Sequence, residues 1–102
     1  MAEKPLYVAF LWHMHQPFYK NGSSGKYLLP WVRMHGIKDY YDMAAILEKY
    51  PNIHQTFNLT PVLMMQIEDY VNNKATDTSL EMTLKKADDL TEEDKSYILY
   101  KV

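Results

Sequence analysis

The sequence contains no cysteine, which excludes disulfides, thiolate metal sites and a cysteine nucleophile. Positive charge is also scarce: the formal net charge is −2 and no basic run occurs, so we expect no nucleic-acid partner. The longest apolar run has seven residues, too few to cross a bilayer, and the amino terminus lacks a signal-peptide pattern. These absences predict a cytoplasmic protein with no membrane partner. The sequence gives no information on the oligomeric state.

What the sequence does contain is a pair of histidines after an apolar run. Residues 6–12 are rich in aromatic and β-branched residues, which predicts a buried parallel strand rather than a helix. Because side chains alternate along a strand, His13 and His15 project to the same side. Pro17 cannot continue the ladder, so the strand ends there. Two imidazoles and the amide of Gln16 are thus predicted at the carboxyl end of an interior strand, where ligands bind in α/β sheets and barrels.

The rest of the chain predicts a strand–helix–strand–helix order. The glycine- and serine-bearing residues 18–30 predict a flexible surface loop bordering a ligand cleft. Residues 39–50 have a helical period, and residues 53–59 are a second strand candidate. Thr60 and Pro61 then start a helix, as the cap and the first helical residue. The predicted class is therefore α/β with parallel strands.

The helix after Pro61 has two distinct sides in the sequence. Leu63, Ile67 and Tyr70 recur at helical spacing and are expected to face the core. Gln66 and Asp69 are expected on the opposite, polar side.

The last third of the chain is predicted to be helical. Residues 72–79 are a polar stretch, Leu80 and Leu84 belong to one short helix, and Thr91 caps another that runs to Val102 without a stop signal. Two parallel strands can neither close a barrel nor be covered on both faces. We therefore expect residues 1–102 to be the amino-terminal part of a larger domain, and to aggregate or remain molten in isolation.

An ordered series of short segments resembles the family-57 glycoside hydrolases, retaining enzymes that act on α-glucans. The segment LWHMHQP, residues 11–17, is similar to the first signature segment of that family. The series continues through residues 29–35, 38–43, 50–53, 56–59 and 66–70. The Pro-Trp-Val-Arg-x-His run is most similar to amylopullulanase-like and α-amylase-like members. The resemblance covers roughly residues 6–71.

The resemblance implies the amino-terminal portion of an incomplete (β/α)7 barrel with a cleft at the carboxyl ends of its strands. It also implies a glutamate nucleophile and an aspartate acid/base on later strands, outside this sequence, and no cofactor. Retention requires two carboxylates about 5 Å apart. The carboxylates present here occur in helix-like or polar surface contexts: Glu48, Glu68, Asp69, Glu81 and Asp88. We expect a glycosidase in the full-length parent, with an α-glucan oligo- or polysaccharide as its substrate, and no activity from this chain alone.

His13 and His15 have three possible roles. Under the resemblance, they and Gln16 bind sugar hydroxyls, because a neutral imidazole offers one donor and one acceptor. The alternative is a metal-dependent hydrolase, since His-x-His also begins the first strand of amidohydrolase-type enzymes. A zinc site would need further ligands, for which His35 and His54 are available. The third role is a hydrogen-bonded structural pair.

The second candidate cluster lies where the chain enters its first helix. Trp31 can stack on a pyranose ring or pack the loop, and Arg33 is more consistent with an ion pair to a buried carboxylate beyond this chain. His35 is a candidate for the cleft, and so is Asn58 at the end of the second strand, although turn geometry also explains an asparagine there. Three tyrosines at helical spacing are predicted to be core residues: Tyr40, Tyr41 and Tyr50.

Two further alternatives have a different function. A deacetylase-like or α-mannosidase-like metal enzyme usually has an aspartate in its first motif, and Met14 and Gln16 occupy the corresponding places. The other alternative is a noncatalytic α-glucan-binding module or a truncated gene product without activity.

Overall fold

The computed structural model describes residues 3–101, and this part of the chain contains two strands and five α-helices. In chain order the elements are β1 (Leu11–Met14), α1 (Trp31–Gly36), α2 (Asp39–Ala45), β2 (Thr56–Leu59), α3 (Pro61–Asn72), α4 (Thr78–Leu84) and α5 (Glu92–Tyr100). Two 3-10 turns occur at Ile46–Lys49 and Ala87–Asp89. Val102, the predicted end of the last helix, lies outside the described residues. The structure confirms mixed strands and helices, whereas the barrel stays a prediction.

The two strands form a parallel pair, as predicted. Trp12 lies opposite Phe57, and His13 lies opposite Asn58. Both strands are shorter than the predicted residues 6–12 and 53–59. Strand β1 extends past Trp12, and His13 has a partner in β2, which agrees with its predicted place at the carboxyl end of the strand.

The prediction that the first strand is buried is wrong for most of it. Met14 is buried, but Leu11 and Trp12 are exposed. Leu11 lies on the opposite face of the strand from Met14, and Trp12, on the same face as Met14, lies outside the small core. Met14 packs with Val32 of α1 and Leu63 of α3 in the small core. The radius of gyration is 19.2 Å, against about 13 Å for a compact domain of this length. Residues 3–101 therefore form an elongated chain with a small core.

Helix α2 and the 3-10 turn after it occupy the predicted helical segment. Tyr40 is partly buried and packs against the core. The core prediction is wrong for Tyr41 and Tyr50, whose exposed fractions are 68% and 54%. Tyr50 follows the 3-10 turn, and that change of helical period moves it away from the face that Tyr40 shares with the core.

Helix α3 begins at Pro61 after Thr60, as the sequence predicts. The Thr60 hydroxyl does not cap it, because that hydroxyl lies 3.4 Å from the carbonyl oxygen of Met14 and donates there. Leu63 is fully buried, as predicted. Gln66 is also fully buried, so its assignment to an exposed side is wrong.

The start of α5 matches its prediction. The Thr91 hydroxyl accepts from the backbone of Asp94, and the Asp94 carboxylate accepts from the backbone of Thr91, which together form a capping box. Within residues 3–101, every helix is too short or too polar to cross a membrane.

The segment predicted as a flexible surface loop is anchored at its base. Tyr27 forms bridges with Lys20 and Asp77 and is only 1% exposed. The tip is a tight turn in which the amide of Gly25 donates to the carbonyl of Asn21 at 2.8 Å. Gly25 has φ +69°, a left-handed conformation that favours glycine. The surface prediction is therefore correct for the tip and wrong for Tyr27.

Candidate functional site

The ends of β1 and β2 bring three predicted site residues together. Nδ1 of His13 lies 2.7 Å from Oδ1 of Asn58, its partner across the sheet. Since the amide oxygen accepts, Nδ1 carries the proton in this bond, and Nε2 remains available to a further partner. The ring of His15 lies 5.7 Å from that of His13, centroid to centroid. All three side chains are exposed at this edge, so they are accessible to a ligand.

Gln16 occupies a half-buried position between two tyrosine hydroxyls. Its Nε2 donates to the Tyr40 hydroxyl at 3.1 Å, and its Oε1 accepts from the Tyr19 hydroxyl at 3.0 Å. The amide is therefore held from both ends, and one N–H and one oxygen lone pair remain for another partner.

Trp31 and His35 lie together on α1, one turn apart. Their ring centroids are separated by 6.1 Å, and the His35 centroid is also 6.1 Å from that of Tyr40 on α2. Nδ1 of His35 donates to the carboxylate of Asp39 across the junction between α1 and α2. This bond leaves Nε2 of His35 available to a further partner, as in His13.

Tyr40 joins Gln16 to the pair on α1, since its hydroxyl contacts Gln16 and its ring lies beside His35. We use the name strand-end cluster for the six predicted site residues. Its members are His13, His15, Gln16, Trp31, His35 and Asn58.

Sequence reasoning missed Tyr40 and Asp39 as neighbours of the strand-end cluster. The signal for Asp39 was its spacing of four residues from His35, at which side chains within one helix meet. Here the contact forms although Asp39 begins the next helix, α2. Tyr40 was interpreted only as a core residue, because a tyrosine at helical spacing usually buries its ring. Its hydroxyl gave no separate signal.

Arg33 points away from this cluster and forms a buried ion pair. Its guanidinium donates to both carboxylate oxygens of Asp77, at 2.7 and 3.1 Å. The hydroxyl of Tyr70 and the backbone amide of Leu80 also donate to that fully buried carboxylate. The structural role predicted for Arg33 is confirmed, but its carboxylate partner lies within this chain and not beyond it.

Burial and hydrogen bonding act in opposite directions on Asp77. Burial favours the neutral acid, but the bonds from Arg33, Leu80 and Tyr70 outweigh it and hold the pKa of Asp77 below its usual value. The bond to Asp77 likewise raises the pKa of Arg33. Burial, followed by the bond to the carboxylate, raises the pKa of Tyr70 well above its ordinary value. Asp77 is therefore a permanently charged structural group at neutral pH.

A second set of polar contacts anchors the loop to α3. The Asp69 carboxylate accepts from Lys20 at 2.7 Å and from the Tyr27 hydroxyl at 3.0 Å. The bonds from Lys20, and next from Asn73, lower the pKa of Asp69. Gln66 accepts from the amide of Tyr19 and donates to two backbone carbonyls. We call Gln66, Asp69 and Asp77, together with their partners, the anchor network.

The predicted surface contexts of the remaining carboxylates are mostly correct. Glu48, Glu68 and Asp88 are exposed, and Glu81 forms an ion pair with Lys26. Asp69 is the exception, since it is partly buried in the anchor network. Across residues 3–101, no three histidine, aspartate or glutamate side chains converge as a ligand set for a metal ion, and His54 is exposed. The metal-dependent alternative therefore has no complete ligand set in this part of the chain.

Comparison with known families gives one match over nearly the whole chain. The model described as Glycosyl hydrolase family 57 matches residues 9–101, which include every residue of the strand-end cluster. No curated protein and no solved structure matches the chain.

Proposed function

Since this chain belongs to glycosyl hydrolase family 57, we propose that it is the amino-terminal part of a retaining enzyme that acts on α-glucans, of the α-amylase or amylopullulanase type. Membership itself implies glycoside hydrolase activity and a carbohydrate substrate. The α-glucan preference rests on the Pro-Trp-Val-Arg-x-His run of residues 30–35. A cytoplasmic location stays a prediction.

The observation that carries the proposal is the pairing of His13 with Asn58 across the two strand ends. That bond fixes the His13 ring and leaves its Nε2 as an exposed acceptor. His35 is held in the same way by Asp39. Sugars present many hydroxyl donors, so two oriented imidazole acceptors suit a carbohydrate better than an anion.

Trp31 supplies the aromatic surface that such a site needs. Its side chain lies beside His35 and is 38% exposed, so part of the indole is available. An aromatic ring offers a large apolar surface to the C–H face of a pyranose, while the neighbouring polar groups bind the hydroxyls. In the proposed site Trp31 therefore binds the ring face and the histidines bind the ring edge.

The proposed chemistry divides the work between this chain and the rest of the domain. Retention uses a nucleophile and an acid/base about 5–5.5 Å apart. Asp39, Asp69 and Asp77 are occupied by cationic or imidazole partners. We place the catalytic glutamate and aspartate on later strands, so that the strand-end cluster binds and orients the sugar. No cofactor is required.

The exposed apolar residues in and beside the strands also support the proposal of a larger barrel. Leu6, Tyr7 and Val8 on one segment and Ile53 and Leu59 on the other are exposed apolar residues. Exposed apolar surface of this extent is typical of an interface with further protein. Additional strands and helices of the same domain would cover it.

The proposal is tested by assaying the complete enzyme on maltoheptaose, pullulan and a cello-oligosaccharide. We expect cleavage of at least one α-glucan, an α-configured reducing end as the first product by NMR, and no cleavage of the β-linked control. The 102-residue chain alone should give no turnover. A β-configured first product, cleavage of only other glycosides, or turnover by the short chain would contradict the proposal.

A further inference from the structure

Tyr40 lies at the junction of the two halves of the strand-end cluster. Its hydroxyl accepts a hydrogen bond from Gln16, in the segment that follows β1. Its ring lies 6.1 Å from that of His35, on α1. The base of the same ring packs against the core formed by Met14 and its neighbours, so the side chain is fixed while its hydroxyl points to the cluster.

The direction of the hydrogen bonds leaves one donor unused. Tyr19 donates to Oε1 of Gln16, and Nε2 of Gln16 donates to the oxygen of Tyr40. The proton of the Tyr40 hydroxyl is therefore free, and within residues 3–101 that proton has no protein acceptor. A half-buried hydroxyl that already accepts one bond is oriented to donate the next one.

The groups around this hydroxyl complement it. On the α1 side, Nδ1 of His35 donates to Asp39, so its Nε2 can accept, whereas Tyr40 presents a donor. A sugar hydroxyl both donates and accepts, so acceptors and a donor around one ring satisfy it more fully than acceptors alone. We propose that the Tyr40 hydroxyl donates a hydrogen bond to a hydroxyl of the bound sugar, as a further substrate-binding residue. This rests on the proposed carbohydrate function.

The experiment compares Tyr40→Phe with two matched variants in the complete enzyme. Tyr41→Phe changes the next residue of α2, which is exposed. Tyr19→Phe removes the hydroxyl at the other end of the Gln16 amide. For each enzyme, kcat/KM is measured on an α-glucan oligosaccharide and on its monodeoxy analogues. The ratio between two substrates in one preparation does not depend on the folded fraction, so partial unfolding does not obscure the result.

We expect Tyr40→Phe to lower kcat/KM on the parent sugar by about three- to tenfold, the loss typical of one neutral hydrogen bond. That loss should disappear on one deoxy analogue, the one lacking the hydroxyl that Tyr40 binds. Tyr41→Phe should leave every ratio between substrates unchanged. Tyr19→Phe should lower kcat/KM by the same factor on all substrates.

Two results would overturn the inference. One is an equal penalty, or no penalty, on all substrates for Tyr40→Phe. The other is a substrate-selective penalty for Tyr19→Phe, which would mean that the bonds run in the reverse direction and the free proton belongs to Tyr19. If the wild type cleaves only another glycoside, the α-glucan proposal fails alone, and the same series on analogues of that glycoside still decides the role of Tyr40.

Discussion

Two glutamines, fifty residues apart, show how the two polar regions of this molecule differ. Gln66 is fully buried and bonds only to backbone: the amide of Tyr19 and the carbonyls of Pro17 and Val62, at 2.9 to 3.0 Å. Gln16 is half buried and bonds to the side-chain hydroxyls of Tyr19 and Tyr40. The first glutamine fixes the path of the chain, and the second has capacity left for a ligand.

The same contrast holds for the two regions as a whole. In the anchor network, Asp69 and Asp77 each accept hydrogen bonds from several donors. Among the described residues, every buried side-chain nitrogen or oxygen has a hydrogen-bond partner. In the strand-end cluster, His13 and His35 each use one ring nitrogen and leave the other free. Buried polar groups whose hydrogen bonds are all formed indicate a structural role. Exposed polar groups that are held by one hydrogen bond and can still form another indicate a binding role.

The largest expected effect is a loss of stability when the anchor network is broken. Asp77→Ala leaves the Arg33 guanidinium without its carboxylate and should lower the free energy of unfolding of the complete enzyme by about 3–5 kcal/mol, the cost of breaking a buried pair. The midpoint of denaturant unfolding measures it. Asp42→Ala is the control, since its pair with Lys38 is exposed and should contribute no more than about 1 kcal/mol. Equal losses of unfolding free energy in both variants would contradict the structural role assigned to the anchor network.

The next largest effect is expected on kcat, for a substitution in the strand-end cluster. His15→Ala should lower kcat about a hundredfold, because a donor that strengthens its bond as charge develops accounts for about 2–4 kcal/mol. Its stability should change little, since the side chain is exposed. Leu63 of α3, which is fully buried, serves as the core control.

In that control, Leu63→Ala should lower the free energy of unfolding by about 2–5 kcal/mol while the folded fraction keeps its rate. A His15 variant that is fully active, or merely unstable, would make the histidine structural and the site assignment wrong.

A smaller effect is expected on the stability of the protein at acidic pH. The folded pKa values of Asp77 and Asp69 lie below the ordinary value, so both carboxylates contribute stability that is fully present above the unfolded pKa of about 3.9. That contribution is lost as the pH falls from there through the folded pKa values. Thermal melts from pH 6 to pH 2 should show a steeper loss for the wild type than for Asp77→Ala. Parallel curves would mean that Asp77 is not charged in the folded protein.

Removal of metal ions should have the smallest effect. Exhaustive chelation should leave the activity of the complete enzyme unchanged, because the strand-end cluster binds hydroxyls in the proposed function. Loss of activity that zinc restores would instead favour the metal-dependent alternative. A calcium requirement would be less informative, because calcium prefers oxygen ligands and can stabilise a fold from elsewhere.

Local patterns predicted the elements that position the strand-end cluster. The apolar runs predicted two parallel strands, and Thr60 with Pro61 predicted the start of α3. The pairing of His13 with Asn58 follows from placing both at neighbouring strand ends. These features depend on residues close in sequence, where alternation and capping are informative.

The anchor network could not be predicted by the same means. Asp77 lies 44 residues from Arg33 in a polar stretch that predicts only a surface segment. Gln66 was assigned to the polar side of α3 because it is polar, although its spacing of three residues from Leu63 and four from Tyr70 places it on the core face. Its polarity gave no sign of a loop whose backbone needs an amide partner. Pairings of this kind become visible only when the chain path is known.

The most direct test of the division between the two regions is the effect of a ligand on the melting temperature. An inhibitor that mimics the transition state of α-glucan cleavage, at about 100 times its Kd for the wild type, should stabilise the complete enzyme by about 2.7 kcal/mol. Asp77→Ala should melt lower but keep this ligand-induced increase, whereas His15→Ala should melt near the wild type and lose most of the increase. An increase that survives in His15→Ala and disappears in Asp77→Ala would contradict the assignment of binding to the strand-end cluster.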